Sequence, residues 1–123
     1  ERNRIVINIQ CDGDLNYTPG SLWTAAHHKL PLLTIMHNNR GYHQEVMYLH
    51  YMAGVRGRGS DRMHIGTTLR EPFIDYAKLA EAYGVQSEGP IENPEELTAA
   101  YKRGIKTVLS GEPYLIDVIT EPR

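Results

Sequence analysis

Two short apolar runs, each closing on a polar turn, constrain the fold of this chain more than anything else in it. Ile-Val-Ile-Asn-Ile at 5–9 leads to Cys11-Asp12-Gly13-Asp14, and Leu-Leu-Thr-Ile-Met at 32–36 leads to Asn38-Asn39. Runs this short and apolar, bounded by turn residues, read as buried strands. The stretch between them contains one helix. Ser21 is placed to cap it, Leu22, Ala25 and Ala26 recur at i, i+3 and i+4, and Pro31 stops it after about Lys29. If the two strands are parallel neighbours, both turns emerge at one sheet edge, although 27 positions separate Asp12 from Asn39. A carboxylate and a carboxamide brought to one point are hard oxygen donors of the kind Mg²⁺ takes. A cation held there would let the chain grip an anionic diphosphate.

The later sequence continues the alternation. Arg40-Gly41-Tyr42 is a loop, and 43–52 reads as a helix with Val46, Met47, Leu49 and Tyr51 as its apolar positions. The Gly- and Arg-rich stretch 54–66 reads as a mobile surface loop. Pro72 opens a helix to about Tyr83, with Ile74, Ala77, Leu79, Ala80 and Tyr83 turned to the core and Gly84 as its stop. Val85 starts a short third strand. Asn93, Pro94 and Glu96 form a capping-box pattern before a helix to about Ser110, and 114–119 is a last strand. The order β-α-β-α-α-β-α-β predicts an α/β fold, a parallel sheet with helices on both faces. Ligands in such sheets sit beyond the carboxyl ends of the strands, where both polar turns fall.

A chain of 123 residues suits a single domain, here 1–123. A net charge of −2 gives no general attraction to nucleic acid or to a membrane surface. No apolar run nears the roughly 20 residues of a membrane span, and the start does not read as a signal peptide. The single cysteine cannot form an internal disulfide and fits a reducing cytoplasm. The chain starts with Glu1 and almost directly on a strand, so we expect a segment of a longer protein, incomplete at its N-terminus.

Plainer roles compete for several of these residues. Asp12 or Asn39 alone would shape a turn or cap a helix. Cys11 reads as a small buried filler. His27 and His28 are adjacent on a helix and face apart. His43 and His50 are seven apart, and no His-x₃-His or Cys-x₂-Cys spacing supports zinc. The run 56–62 reads as a solvated loop that could also order over a substrate as a lid. Tyr76, Tyr83 and Tyr101 read as packing.

Taken together, the residues resemble the thiamine diphosphate-dependent enzymes, whose signature is Gly-Asp-Gly followed some two dozen or more residues later by Asn-Asn. The similarity rests on Asp12-Gly13, the step to Asn39, and Leu-Trp-Thr-Ala-Ala-His-His-Lys-Leu-Pro between them. It continues through Asp-Tyr-Ala-Lys-Leu-Ala-Glu-Ala-Tyr-Gly-Val at 75–85 and Gly-Glu-Pro-Tyr-Leu-Ile-Asp-Val at 111–118. The look is nearest to the diphosphate-binding domain of acetolactate-synthase-like enzymes and 2-oxo acid decarboxylases. Two signatures at matching spacing, each after a predicted strand, are more specific than a lone glycine motif. Cys11 departs from the usual Gly, and Asp14 from the usual Ser or Ala.

The resemblance implies that Asp12, Asn39 and the Gly41 carbonyl ligate Mg²⁺, with diphosphate oxygens and a water completing six positions. It implies that Gly13 lets the backbone approach the diphosphate, and that the amides of Asp14 and Leu15 donate to it. Cys11 and Tyr42 would flank the cofactor. Gly41-Tyr42-His43-Gln44-Glu45 matches the decarboxylase pattern Gly-Tyr-x-x-Glu, making Glu45 the candidate proton-handling group. The implied chemistry is loss of carbon dioxide from a 2-oxo acid, with the cofactor ring accepting the electrons, followed by protonation or by addition to a second carbonyl. The implied partners are a 2-oxo acid, a separate pyrimidine-binding domain from a longer chain or another subunit, and further copies in a homo-oligomer. A non-catalytic phosphate- or nucleotide-binding module, or an inactive fragment, is the alternative.

Overall fold

A computed structural model describes residues 4–121. The elements are β1 (Val6–Cys11), α1 (Asp12–Tyr17), α2 (Ser21–His27), β2 (Leu32–Asn38), α3 (His43–Val55), α4 (Tyr76–Ala82), β3 (Gln86–Ile91), α5 (Pro94–Leu109) and β4 (Tyr114–Ile119). The strands form one parallel sheet in the order β1-β2-β4-β3. The steps from β1 to β2 and from β2 to β3 run one way across the sheet, and the step from β3 to β4 runs back. Right-handed crossovers therefore put α1, α2 and α4 on one face and α5 on the other. The expected α/β fold, with helices on both faces, is the fold observed.

Each face has its own core. Leu15, Leu22, Tyr76, Ala80 and Val85 pack with Met36 and Leu115 of the central strands on one side. On the other, Ala100 and Val108 of α5 pack with Leu33, Ile91, Tyr114 and Ile116. The α5 residues Ala100, Gly104 and Val108 recur every four positions, which turns one stripe to the sheet. A Cβ on Gly104 would lie 2.8 Å from Leu33 Cδ1, so a small residue is what lets α5 sit this close.

Several local expectations change. β1 is an edge strand rather than a buried one: Val6, Ile7 and Ile9 are exposed. Ile7 and Ile9 stand beside Leu33 and Ile35, on the face where α5 packs chiefly over β2, β3 and β4. The turn expected at Asp12-Gly13 is the start of an additional helix, α1, anchored by Leu15 at 1% exposure. Ser21 does not cap α2; it is the first helical residue, after Gly20. α4 begins at Tyr76, not Pro72, because the Asp75 side chain accepts the Lys78 N–H at 2.9 Å and caps it there. Asn93 caps α5 by accepting the Glu95 N–H at 3.0 Å. α3 runs on to Val55, taking in Gly54, and none of its residues is buried. Its apolar side chains lie on all sides, so Met47, Leu49 and Tyr51 are exposed instead of facing a core.

Candidate functional site

The carboxyl ends of β1 and β2 lie side by side, with Cys11 level with His37. Asp12 follows β1 directly and is wholly buried. Asn39 follows β2 and leads into Arg40, whose φ of 62° lies in the left-handed region. The chain there brings one backbone amide to both side chains. Gly41 N donates to Asp12 Oδ2 and to Asn39 Oδ1, each at 3.1 Å. The carboxylate and carboxamide picked out by spacing thus reach a common point.

The turn is braced from behind. Tyr42 N donates to the Thr67 carbonyl at 2.7 Å and Leu69 N to the Arg40 carbonyl at 2.9 Å. A Cβ on Gly41 would lie 2.8 Å from the Thr67 carbonyl oxygen, so glycine is required by this contact. Two cavities share Arg40. One, of about 300 Å³, is lined by Asn39, Gly41, Tyr42, His64 and Arg70 among others. The other, of about 210 Å³, is lined by Asp12, Asn38, Phe73, Asp75 and Tyr76 among others.

Burial pushes the Asp12 carboxyl above the usual carboxylate range, while the N–H groups of Gly13, Gly41, Arg40 and Asp12 itself pull it down. Asp12 Oδ1 has no hydrogen-bond partner among the described residues. A buried, unpartnered carboxylate oxygen is costly, and a cation would compensate it. The donor set of one carboxylate and one carboxamide fits Mg²⁺. Among the described residues, no three His, Cys, Asp or Glu side chains gather as they would for a structural zinc.

The other residues singled out by sequence fall around this point. Gly13 lies under the Tyr42 ring: a Cβ there would be 2.6 Å from two ring carbons. The Tyr42 ring in turn stands 5.7 Å from that of Tyr17. With Cys11 as the N-cap of α1, its carbonyl takes the first helical bond, from Leu15 N–H. Of the two amides suggested for the diphosphate, that leaves Asp14 without a helical partner. The Leu15 side chain is core. Asp14 is exposed in the first turn. Cys11 is exposed, not a buried filler, because β1 is an edge; partial burial, Asp14 and Asp12 push its thiol up. That favours the neutral thiol. Glu45 is exposed in the first turn of α3 and lines an apolar cleft with Gln44, Tyr48, Leu49 and Thr67.

Three contributors escaped the sequence reading. Arg40 lies 4.2 Å over the Phe73 ring and pairs with Glu92 at 3.5 Å. Tyr76, read as packing, also donates its hydroxyl to the Asp12 carbonyl oxygen at 3.1 Å. Asp117 is buried and accepts from Asn38 Nδ2 at 3.0 Å. Only Asp117 left a signal: a carboxylate inside an otherwise apolar strand.

A parallel α/β domain with paired oxygen donors at the carboxyl edge of its sheet is the class of domain that binds phosphate-bearing cofactors. Residues 1–118 match the family model described as thiamine pyrophosphate enzyme, C-terminal TPP binding domain, and the chain belongs to that family. It is 31% identical over 119 residues to a probable acetolactate synthase large subunit of Methanocaldococcus jannaschii, covering 95% of the chain and 18% of that protein. It is 31% identical over 118 residues to a benzoylformate decarboxylase of Pseudomonas aeruginosa, covering 96% of the chain and 20% of that protein. Among solved structures, a thiamine diphosphate-dependent 4-hydroxybenzoylformate decarboxylase of Rhodococcus jostii matches at a TM-score of 0.74 and 30% identity, over 97% of this chain and 20% of that one. The chain therefore spans about a fifth of these relatives, as the TPP-binding domain of acetolactate synthase- and decarboxylase-like enzymes. Among the described residues, no helix is long and apolar enough to cross a membrane.

Proposed function

We propose that Asp12, Asn39 and the Gly41 carbonyl hold Mg²⁺, and through it the diphosphate of thiamine diphosphate, in an enzyme that decarboxylates a 2-oxo acid. The observation that carries this reading is the meeting of Asp12 Oδ2 and Asn39 Oδ1 at one amide, beside an unpartnered Asp12 Oδ1. When bound, the cofactor supplies the electron sink for loss of carbon dioxide. The residues of this chain position it. Gly13 and the Asp14 amide border the diphosphate, Tyr42 packs over Gly13, and Cys11 and Leu15 fix the two ends of the α1 turn. Glu45 handles a proton on the substrate side. The product is either released as an aldehyde or joined to a second carbonyl compound, as acetolactate synthesis requires.

The domain spans 1–123 and works with a pyrimidine-binding domain, from the same longer chain or from another subunit of a homo-oligomer. Its compartment is the cytoplasm. The bare face of α3 supports such a partner: Met47, Tyr48, Tyr51 and Val55 are all more than half exposed. The test is to assay carbon dioxide release from pyruvate and phenylglyoxylate, with Mg²⁺ and thiamine diphosphate. The protein that carries this chain together with its partner domain should turn over at least one of them. The 123-residue chain alone should turn over neither. Turnover by the chain alone, or cofactor-independent turnover, would contradict the proposal.

A further inference from the structure

One buried carboxylate, that of Asp117, backs the site without being one of its proposed ligands. Asp117 is wholly buried in β4, where every neighbour along the strand is apolar. A carboxylate in a core costs several kcal/mol unless it is well partnered, and an apolar residue would pack there with no such cost. Asp117 is only half partnered: Oδ1 accepts from Asn38 Nδ2 at 3.0 Å, and Oδ2 has no partner among the described residues. Stability alone therefore gives little reason for a carboxylate at this place.

Its position does give one. β4 runs parallel beside β2, with Asp117 level with Met36, so its side chain reaches forward along β2 to Asn38, the last residue before Asn39. Asn38 is itself buried at 3% exposure. Gly89 confines Asp117 from the other side; a Cβ on it would lie 2.8 Å from the Asp117 Cβ. Asp117 thus stands one residue removed from Asn39, through Asn38.

We propose that Asp117 is a positioning residue that aims Asn39 at the cation it shares with Asp12 by holding Asn38 in register; this rests on the reading of Asp12 and Asn39 as Mg²⁺ ligands. The Asn38 bond is the link, because it fixes the end of β2 where the chain turns out of the sheet. A carboxamide at 117 can still accept from Asn38. An apolar residue of similar size cannot.

The test measures Mg²⁺ affinity at saturating thiamine diphosphate for Asp117→Leu, Asp117→Asn, Asn38→Ala and Asp12→Ala, in the protein that carries this chain, alongside each variant's unfolding transition. Asp117→Leu should bind Mg²⁺ at least tenfold more weakly, and Asp117→Asn should stay within about threefold of the parent. Rescue by the carboxamide separates aiming from simple charge attraction. Asn38→Ala, which leaves the carboxylate in place, should lose affinity as Asp117→Leu does, and it decides the matter if the leucine variant fails to fold. Unchanged affinity in Asn38→Ala, or a loss in Asp117→Asn equal to that in Asp117→Leu, overturns the proposal. If Asp12→Ala also keeps full affinity, the reading of the site has failed and the positioning role falls with it. If Asp12→Ala loses affinity while the Asp117 and Asn38 variants do not, the positioning role alone has failed.

Discussion

The ring of Tyr42 stands where a side chain on residue 13 would have to go. A Cβ at Gly13 would lie 2.6 Å from both Cδ1 and Cε1 of that ring. This contact joins the start of α1 to the start of α3, the two elements that leave the carboxyl ends of β1 and β2. Gly13→Ala should therefore destabilise by about 1–3 kcal/mol, the usual cost of overpacking. In Gly13→Ala/Tyr42→Ala most of that penalty should disappear, because the clash partner is gone. Denaturant midpoints of the four species check it; strict additivity would show that the ring does not set the residue type at 13.

Asp117 gives the metal-free protein a characteristic pH response. Burial chiefly, with Asp75 and Asp12 adding to it, pushes its carboxyl up to about 6 from an ordinary 3.8, against the pull of Asn38 and the Tyr76 N–H. The folded state thus holds this proton more tightly than the unfolded state. Its stabilising contribution is full below the ordinary value and is lost as pH rises through about 6. The loss amounts to at most about 3 kcal/mol. Asp117→Asn should remove that slope and be more stable than the parent at pH 8. Denaturant unfolding of both proteins at pH 4, 6 and 8 measures the difference; parallel pH profiles would contradict it.

Asn93 tests whether distant stability leaves the site alone. Its side chain caps α5 through the Glu95 N–H. Asn93→Ala should cost about 1 kcal/mol of stability. Cofactor affinity should not change, since α5 packs on the face of the sheet opposite α1. A thermal melt and a cofactor titration on the same variant check both halves.

Glu45 separates binding from chemistry. Glu45→Gln should leave Mg²⁺ and cofactor affinity within about twofold in the protein that carries this chain. If Glu45 moves a proton, turnover should fall by roughly 10²–10⁴. Steady-state kinetics beside a binding titration tell the two apart, and an unchanged kcat would return Glu45 to the role of a solvated helix residue.

What was legible in sequence divides along physical lines. The central strands and α5 are visible because burial on one or both faces writes a period into them. The pairing of Asp12 with Asn39 is visible because parallel neighbouring strands bring their ends together. β1 misled because Val6, Ile7 and Ile9 look like core residues, and only the sheet order and the reach of α5 leave them exposed. The start of α1 was hidden because Asp12-Gly13 reads equally as a turn, and the anchor, Leu15, acts through tertiary packing. Pro72 drew the start of α4 too early, since the cap that decides it is the Asp75 side chain. The bond from Tyr76 to the Asp12 carbonyl spans 64 positions and leaves no local trace.

Whether Asp12 holds a cation for the diphosphate is decided by a calorimetric titration of thiamine diphosphate into the protein that carries this chain, with Mg²⁺ and with EDTA, for the parent and for Asp12→Ala. Binding should need Mg²⁺ in the parent and weaken at least tenfold in Asp12→Ala. Equal affinity in EDTA, or full Mg²⁺-dependent binding by Asp12→Ala, would contradict it.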